Sequence, residues 1–136
     1  VIVLVDTDVL LDLALDREPW AADAATLLER LEGGAARGVV AWHSLANFYY
    51  LVAPRRGRAD ARRFIGELCA FLEVAPTDTT HLRMAVASPM ADFEDALQVG
   101  AAMAAGAEVI ATRNVKDFRR SPIPAMRPSH LVATLG

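Results

Sequence analysis

Short apolar runs alternate along the chain with segments of helical periodicity. Val1–Val5 is unbroken apolar sequence and reads as a buried strand. Val9–Leu15 follows at helical spacing. Pro19 suits the first turn of a second helix, which runs to about Glu32 and stops at Gly33-Gly34. Val39–Trp42 reads as a second strand. Ser44 can cap a helix from Leu45 to Ala53, which Pro54 closes. A helix over Arg58–Phe71 carries Phe64, Leu68 and Phe71 at helical spacing, and Glu73–Ala75 is a short third strand. Thr79–Ala87 is helical, Asp92–Ala105 is a helix of small residues ended by Gly106, and Val109–Ala111 is a fourth strand. After Phe118 the prolines Pro122, Pro124 and Pro128 break the pattern, and Leu131–Leu135 fits a last strand or a short helix.

Strands alternating with helices imply βαβ units. The expected class is α/β, with a central parallel sheet of four to five strands flanked by helices, in a single domain over residues 1–136. Apolar residues make up 54% of the sequence, enough for a proper core. No apolar run approaches the ~20 residues that span a bilayer. No basic leader opens the sequence, so a cytoplasmic location is expected. Cys69 is the only cysteine, which excludes a disulfide framework and a thiolate zinc cluster.

The net charge of -3 is not that of a general polyanion binder, but the distribution changes the picture. Arg55, Arg56, Arg58, Arg62 and Arg63 form one basic cluster, and Arg113, Lys116, Arg119 and Arg120 form another. Local clusters of this kind can bind phosphates even on an acidic protein.

The polar residues fall where strands end and helices begin. Asp6 follows the first strand, His43, Ser44 and Asn47 the second, and Thr112, Asn114 and Asp117 the fourth. Asp92, Glu94 and Asp95 open the alanine-rich helix. At 100° per residue Asp92, Asp95, Ala96, Val99 and Met103 share one broad face, while Glu94 points away from it. Helix capping explains part of this, since Asp92 and Asp95 have capping-box spacing, as do Asn114 and Asp117. Capping does not explain why the acids gather on one rim. Carboxylates without cysteine, and histidines without ligand spacing, make an oxygen-donor site suited to Mg²⁺ or Mn²⁺. Beside basic patches, such a site suggests hydrolysis of a phosphodiester.

Three blocks carry a resemblance. Asp6-Thr7-Asp8-Val9-Leu10-Leu11-Asp12 resembles the opening D-T-[ND]-hhh-D of PIN-domain ribonucleases. Asp92-Phe93-Glu94-Asp95-Ala96-Leu97-Gln98 resembles their second acidic helix, and Ala111-Thr112-Arg113-Asn114-Val115-Lys116-Asp117-Phe118 their closing T-R-N-x-x-D-F. The nearest group looks like the VapC-type toxins of toxin–antitoxin pairs. The resemblance implies a PIN-like three-layer fold and a Mg²⁺-dependent endoribonuclease, with Mn²⁺ as an alternative. It also implies a homodimer, held inactive by a small antitoxin protein. By position, Asp6 and Asp95 would be core metal ligands. Asp117 and Asn114 would complete the site, directly or through water, and Asp92 would be an auxiliary acid. Thr7, Asp8 and Thr112 would bond the loops that orient the ligands.

One position departs from the pattern. Many such toxins carry Glu in the helix after strand two, where this chain has Asn47, an oxygen donor without charge. A PIN module that binds RNA or a partner without much cleavage is therefore a second reading. Asp6-x-Asp8 also resembles the opening of haloacid-dehalogenase-type phosphatases, but the only lysine, Lys116, sits in the better-matched third block. Arg55, Arg56, Arg58 and Arg113 are candidates to meet RNA or a partner. Phe48, Tyr49 and Tyr50 are consecutive and cannot all face one core, so at least one should reach a groove or interface, with Trp42 nearby.

Overall fold

A computed structural model describes residues 1–135. The strands are β1 (Ile2–Val5), β2 (Arg37–Val40), β3 (Leu72–Val74), β4 (Val109–Ala111) and β5 (Ala125–Met126). The helices are α1 (Thr7–Ala14), α2 (Ala21–Glu32), α3 (Trp42–Arg56), α4 (Arg58–Leu68), α5 (Thr79–Val86), α6 (Phe93–Ala105) and α7 (Pro128–Leu135), with a 3₁₀ turn over Val115–Phe118. All strand pairs are parallel, in the order β3-β2-β1-β4-β5.

The apolar run of β1 is buried on both faces, and strand alternation divides its side chains between two cores. Val3 and Val5 face the layer built with α1, α2, α3, α4 and α7, together with Leu10, Leu27, Phe48 and Val52. Leu4 faces the layer under α6, with Val39, Val99, Ala102 and Ile110. Three layers follow: helices, a parallel sheet, helices. Gly106 ends α6 with a left-handed φ of 68°, which explains glycine there.

Several boundaries differ from the sequence reading. β2 ends at Val40, and Trp42 opens α3 instead of closing the strand. Ala41, not Ser44, is the cap residue of α3, and Ser44 lies fully buried one turn in. Pro54 stands inside the last turn of α3, which continues to Arg56. The hydrogen bond lost there falls on the carbonyl of exposed Tyr50, at a helix end where other carbonyls also lack helical partners. The fifth strand is Ala125–Met126, and Leu131–Leu135 belongs to a helix. Two strand residues between Pro124 and Pro128 are too few to show periodicity. Proline is tolerated beside them because β5 is an edge strand.

Asp12 ties α1 to the loop after β4. Its side chain is 2% exposed and lies 2.9 Å from Arg113 Nε, with Arg17 Nη1 at 3.9 Å. Arg113 also stacks on Trp20, 4.0 Å from the ring centroid. Burial pushes the Asp12 pKa up, against the pull of Arg113 and Arg17. Asp12→Ala would strand the half-buried guanidinium of Arg113, at a cost of about 3 kcal/mol, the lower end of what a broken buried pair costs. Urea denaturation checks this. A loss under about 0.5 kcal/mol, typical of surface changes, would make the pair incidental to stability.

Candidate active site

β1 is the central strand. The chain leaves it for β2 and β3 on one side and later returns to β4 and β5 on the other. The sheet order therefore switches between β1 and β4, and a crevice opens at their carboxyl ends. Asp6 follows β1 there, and Thr112 follows β4.

Asp6 is the cap residue of α1. Its Oδ1 accepts from the Thr7 amide at 2.7 Å, and its Oδ2 accepts from the Thr112 hydroxyl at 2.9 Å. The same hydroxyl lies 3.2 Å from Asp8 Oδ2, which also accepts from Asn114 Nδ2 at 2.9 Å. The Asn114 amide in turn donates to Thr112 Oγ1 at 3.1 Å. Thr112 thus bridges the two carboxylates. Asn114 spends its side-chain amide on Asp8. Asp8 Oδ1 is buried and meets no donor.

The start of α6 supplies the other acids. Asp92 caps it, accepting from the Asp95 amide at 2.9 Å, which bears out the capping role. Carboxylate oxygens of Asp92, Glu94 and Asp95 come within 4.8 Å of one another and could hold a metal ion. Helical angle alone turns Glu94 away from the inward face, yet the side chain lies in the cleft. His43 Nε2 stands 2.6 Å from Glu94 Oε2, and Gln98 Nε2, one turn along α6, donates to the same oxygen at 2.8 Å. Gln98 also donates to Ser44 Oγ at 2.8 Å, and that oxygen accepts from the Thr7 hydroxyl at 2.8 Å. Thr7 therefore meets Asp6 through its amide, while its side chain serves this second network.

Asp6, Thr7, Asp8, Glu94, Asp95, Asn114 and Asn47 line one cleft of about 440 Å³, with Leu11, Tyr50 and Leu51 on its apolar side. Asp95 also lines an adjoining cleft of about 580 Å³ with Asp92, Asp117, Lys116, Arg119 and Arg120. Asp95 is thus the hinge of the constellation, with Asp6 and Asp8 on one side and Asp92 and Asp117 on the other. Burial, then Asp8 and Glu94, push the Asp6 pKa up to about 8. Burial lifts Asp95 to about 7, helped by Asp92, Glu94, Asp117 and Asp8. Asp8 rises to about 6, chiefly by burial, against the Thr112 bond and Arg113. Glu94 moves the other way: burial raises it, but the His43 and Gln98 bonds outweigh that and hold it below the usual range. An all-oxygen donor set, mutually repelling and with an orphaned buried oxygen on Asp8, fits a hard divalent cation.

The basic residues divide. Arg56 donates to Ala14 O at 2.8 Å and pairs with Asp60, so it clamps the end of α1. Arg63 pairs with Asp60 and Glu67. Arg55, Arg58 and Arg62 are exposed and make no ion pair among the described residues. Arg113 is held by Asp12 and Trp20, as described. Of the aromatics, Phe48 is buried, Tyr49 half-buried, and Trp42 and Tyr50 are 72% and 75% exposed. The sequence placed Glu94 on the rim but turned it away from the inward face, gave Ser44 a capping role, and assigned none to Gln98 or His43. The available signal was the i, i+4 spacing of Glu94 and Gln98, with a glutamine in the middle of an otherwise apolar helix.

Solved structures with the same fold include VapBC2 from Rickettsia felis, at 17% identity and TM-score 0.73, covering 93% of this chain and 98% of that one. VapBC-1 from nontypeable Haemophilus influenzae is 17% identical with TM-score 0.69, covering 95% and 99%. FitAcB from Neisseria gonorrhoeae is 14% identical with TM-score 0.66, covering 94% and 99%. No curated protein matches the sequence. The acids at the switch point, their order along the chain and the three-layer sheet agree with the match of a PIN domain family model to residues 2–116, and the chain belongs to the PIN domain family.

Proposed function

We propose that the chain is a Mg²⁺- or Mn²⁺-dependent endoribonuclease of the VapC toxin type. The observation that carries this reading is the meeting of two clefts at Asp95: carboxylates from β1 and α6 on one side, and cations of the loop after β4 on the other. Asp6 and Asp95 would hold the metal, completed by Asp117 or Asn114, with Asp92 as an auxiliary acid. The bound cation would activate water and offset charge on the scissile phosphate. Thr112 would orient the Asp6 and Asp8 carboxylates through the hydroxyl that they share. Lys116, Arg119 and Arg120 would take flanking phosphates, with Arg55 and Arg58 as a more distant cationic surface.

The similar VapBC and FitAcB structures support a paired antitoxin as partner. Exposed Tyr50 and Leu51 border the acidic cleft. An amphipathic antitoxin helix could cover them and place a basic side chain over the acids. Exposed Trp42 at the start of the same helix, α3, would serve a homodimer contact.

Asp95→Asn should lower metal-dependent cleavage of RNA by at least ~10²-fold, beyond the usual effect of an outer partner of a metal ligand. It should fold as well as the parent, because the change removes like-charge repulsion. Gel assays with and without EDTA read the first effect and thermal melting the second. Undiminished cleavage by the folded variant would refute the site, and an inert parent protein would leave only RNA binding.

The raised pKa values set a pH dependence. Asp6, Asp95 and Asp8 keep protons up to about 8, 7 and 6 in the folded chain but would lose them near 3.8 when unfolded. The folded state then binds more protons through this window, so metal-free stability falls as pH rises from about 4 to about 8. Asp6→Asn should flatten that decline in calorimetry. Mn²⁺ affinity should rise over the same range, since the cation competes with protons.

Replacing Lys116, Arg119 and Arg120 together with Ala should weaken RNA binding. The slope of log K against log salt should fall by about 2, as expected for three contacts to single-stranded phosphates. Filter binding at several salt concentrations measures it, and an unchanged slope would remove these cations from the RNA path.

A further inference from the structure

Glu94 is gripped differently from its neighbouring acids in the two clefts. Asp6, Asp8 and Asp92 are bonded by backbone amides or by side chains of the β4 loop. Glu94 is held across the cleft by His43 from α3 and by Gln98 from its own helix, and both bonds fall on Oε2. A carboxylate held on one oxygen by outer partners is oriented as metal-ligating carboxylates are. The holders are themselves anchored. Gln98 is fully buried and is tied through Ser44 to Thr7, the neighbour of Asp6. The fold tolerates an unpartnered Gln98 Oε1 within this buried network. A cost of that kind calls for an explanation beyond packing. Asn47 of α3 faces the same cleft without charge, so that wall adds no anion of its own.

We propose that Glu94 is a metal-binding carboxylate of this cleft, and that His43 and Gln98 are positioning residues that hold it toward Asp6 and Asp95. The inference rests on the reading of the cleft as a divalent-metal site. Glu94 then supplies from α6 the charge that Asn47 does not supply from α3.

The test is Mn²⁺ binding to the whole chain, followed by calorimetry and by the electron paramagnetic resonance of bound Mn²⁺. The near-isosteric Glu94→Gln should weaken affinity about 10- to 100-fold and alter the resonance of what remains bound. Its metal-free melting temperature should fall only slightly, because the amide oxygen can still accept from His43 and Gln98 but loses the charge that those bonds favour. His43→Ala should weaken affinity about tenfold, at the low end of the range for an outer partner. Adding Asn47→Glu to Glu94→Gln should recover most of the loss, which a merely structural Glu94 could not explain. Parental Mn²⁺ affinity in Glu94→Gln, alongside lost affinity in Asp95→Asn, would overturn the proposal and leave the metal cleft standing. Failure of the parent chain to bind Mn²⁺ at millimolar concentration would overturn both.

Discussion

Asp6 and Asp8 stand two residues apart at the end of the central strand, both largely withdrawn from water, and Thr112 has one hydroxyl proton to share between them. Most of the polar architecture answers that crowding. The Thr7 amide takes one oxygen of Asp6, and Asn114 takes one of Asp8. The dryness behind them has the same origin as the stability of the fold. Val9, Leu10 and Ile110 are wholly buried beside the strand ends, so the core that holds the sheet together also makes these carboxylates hard to ionise. A hard cation would resolve both problems at once, by replacing lost hydration and cancelling repulsion.

The crowding is possible because α6 lies close to the sheet. Val99, Ala101 and Ala102 pack with Leu4 and Ile110 of the sheet, and Gly100 leaves α5 close by, with a Cβ at Gly100 only 3.4 Å from the His81 carbonyl. Small residues let the helix settle close to the ends of β1 and β4. Its first turn then delivers Glu94 and Asp95 over Asp6, while its N-terminus offers the partial positive charge that anions favour. The alanine-rich composition of this helix and the acidity of its first turn are therefore one design: the first sets the distance and the second uses it.

Much of this was legible in the sequence. The apolar runs located β1 and β4, and the Asp, Thr and Asn residues after them marked the rim. The three-layer arrangement followed from alternation alone. What escaped were features that depend on contacts distant in sequence. Helical angle turns the Glu94 backbone position outward, but rotamer and partner, not angle, decide where a long side chain ends. His43 lies 51 residues from Glu94 and nothing local signals their meeting. Ser44 looked like a cap because serine often is one; burial against Gln98 uses it otherwise. β5 escaped because its two residues are paired by backbone alone, between prolines that read as loop.

The arginines show the same division between local and distant causes. A run of basic residues reads as a phosphate-binding face, yet Arg56 reaches back to the last turn of α1 and Arg113 is spent between Asp12 and Trp20. Guanidinium suits such internal work, because its planar fork can bond and stack at the same time. For the proposed RNA substrate a smaller set remains, Lys116, Arg119 and Arg120 beside Asp95, with Arg55, Arg58 and Arg62 exposed on α3 and α4. On a chain of net charge -3 this placement matters more than number. With RNA as the proposed substrate, the acids would repel the strand from the point of cleavage. Cations along the adjoining cleft would hold the strand beside that point, leaving the acidic floor free for the proposed metal.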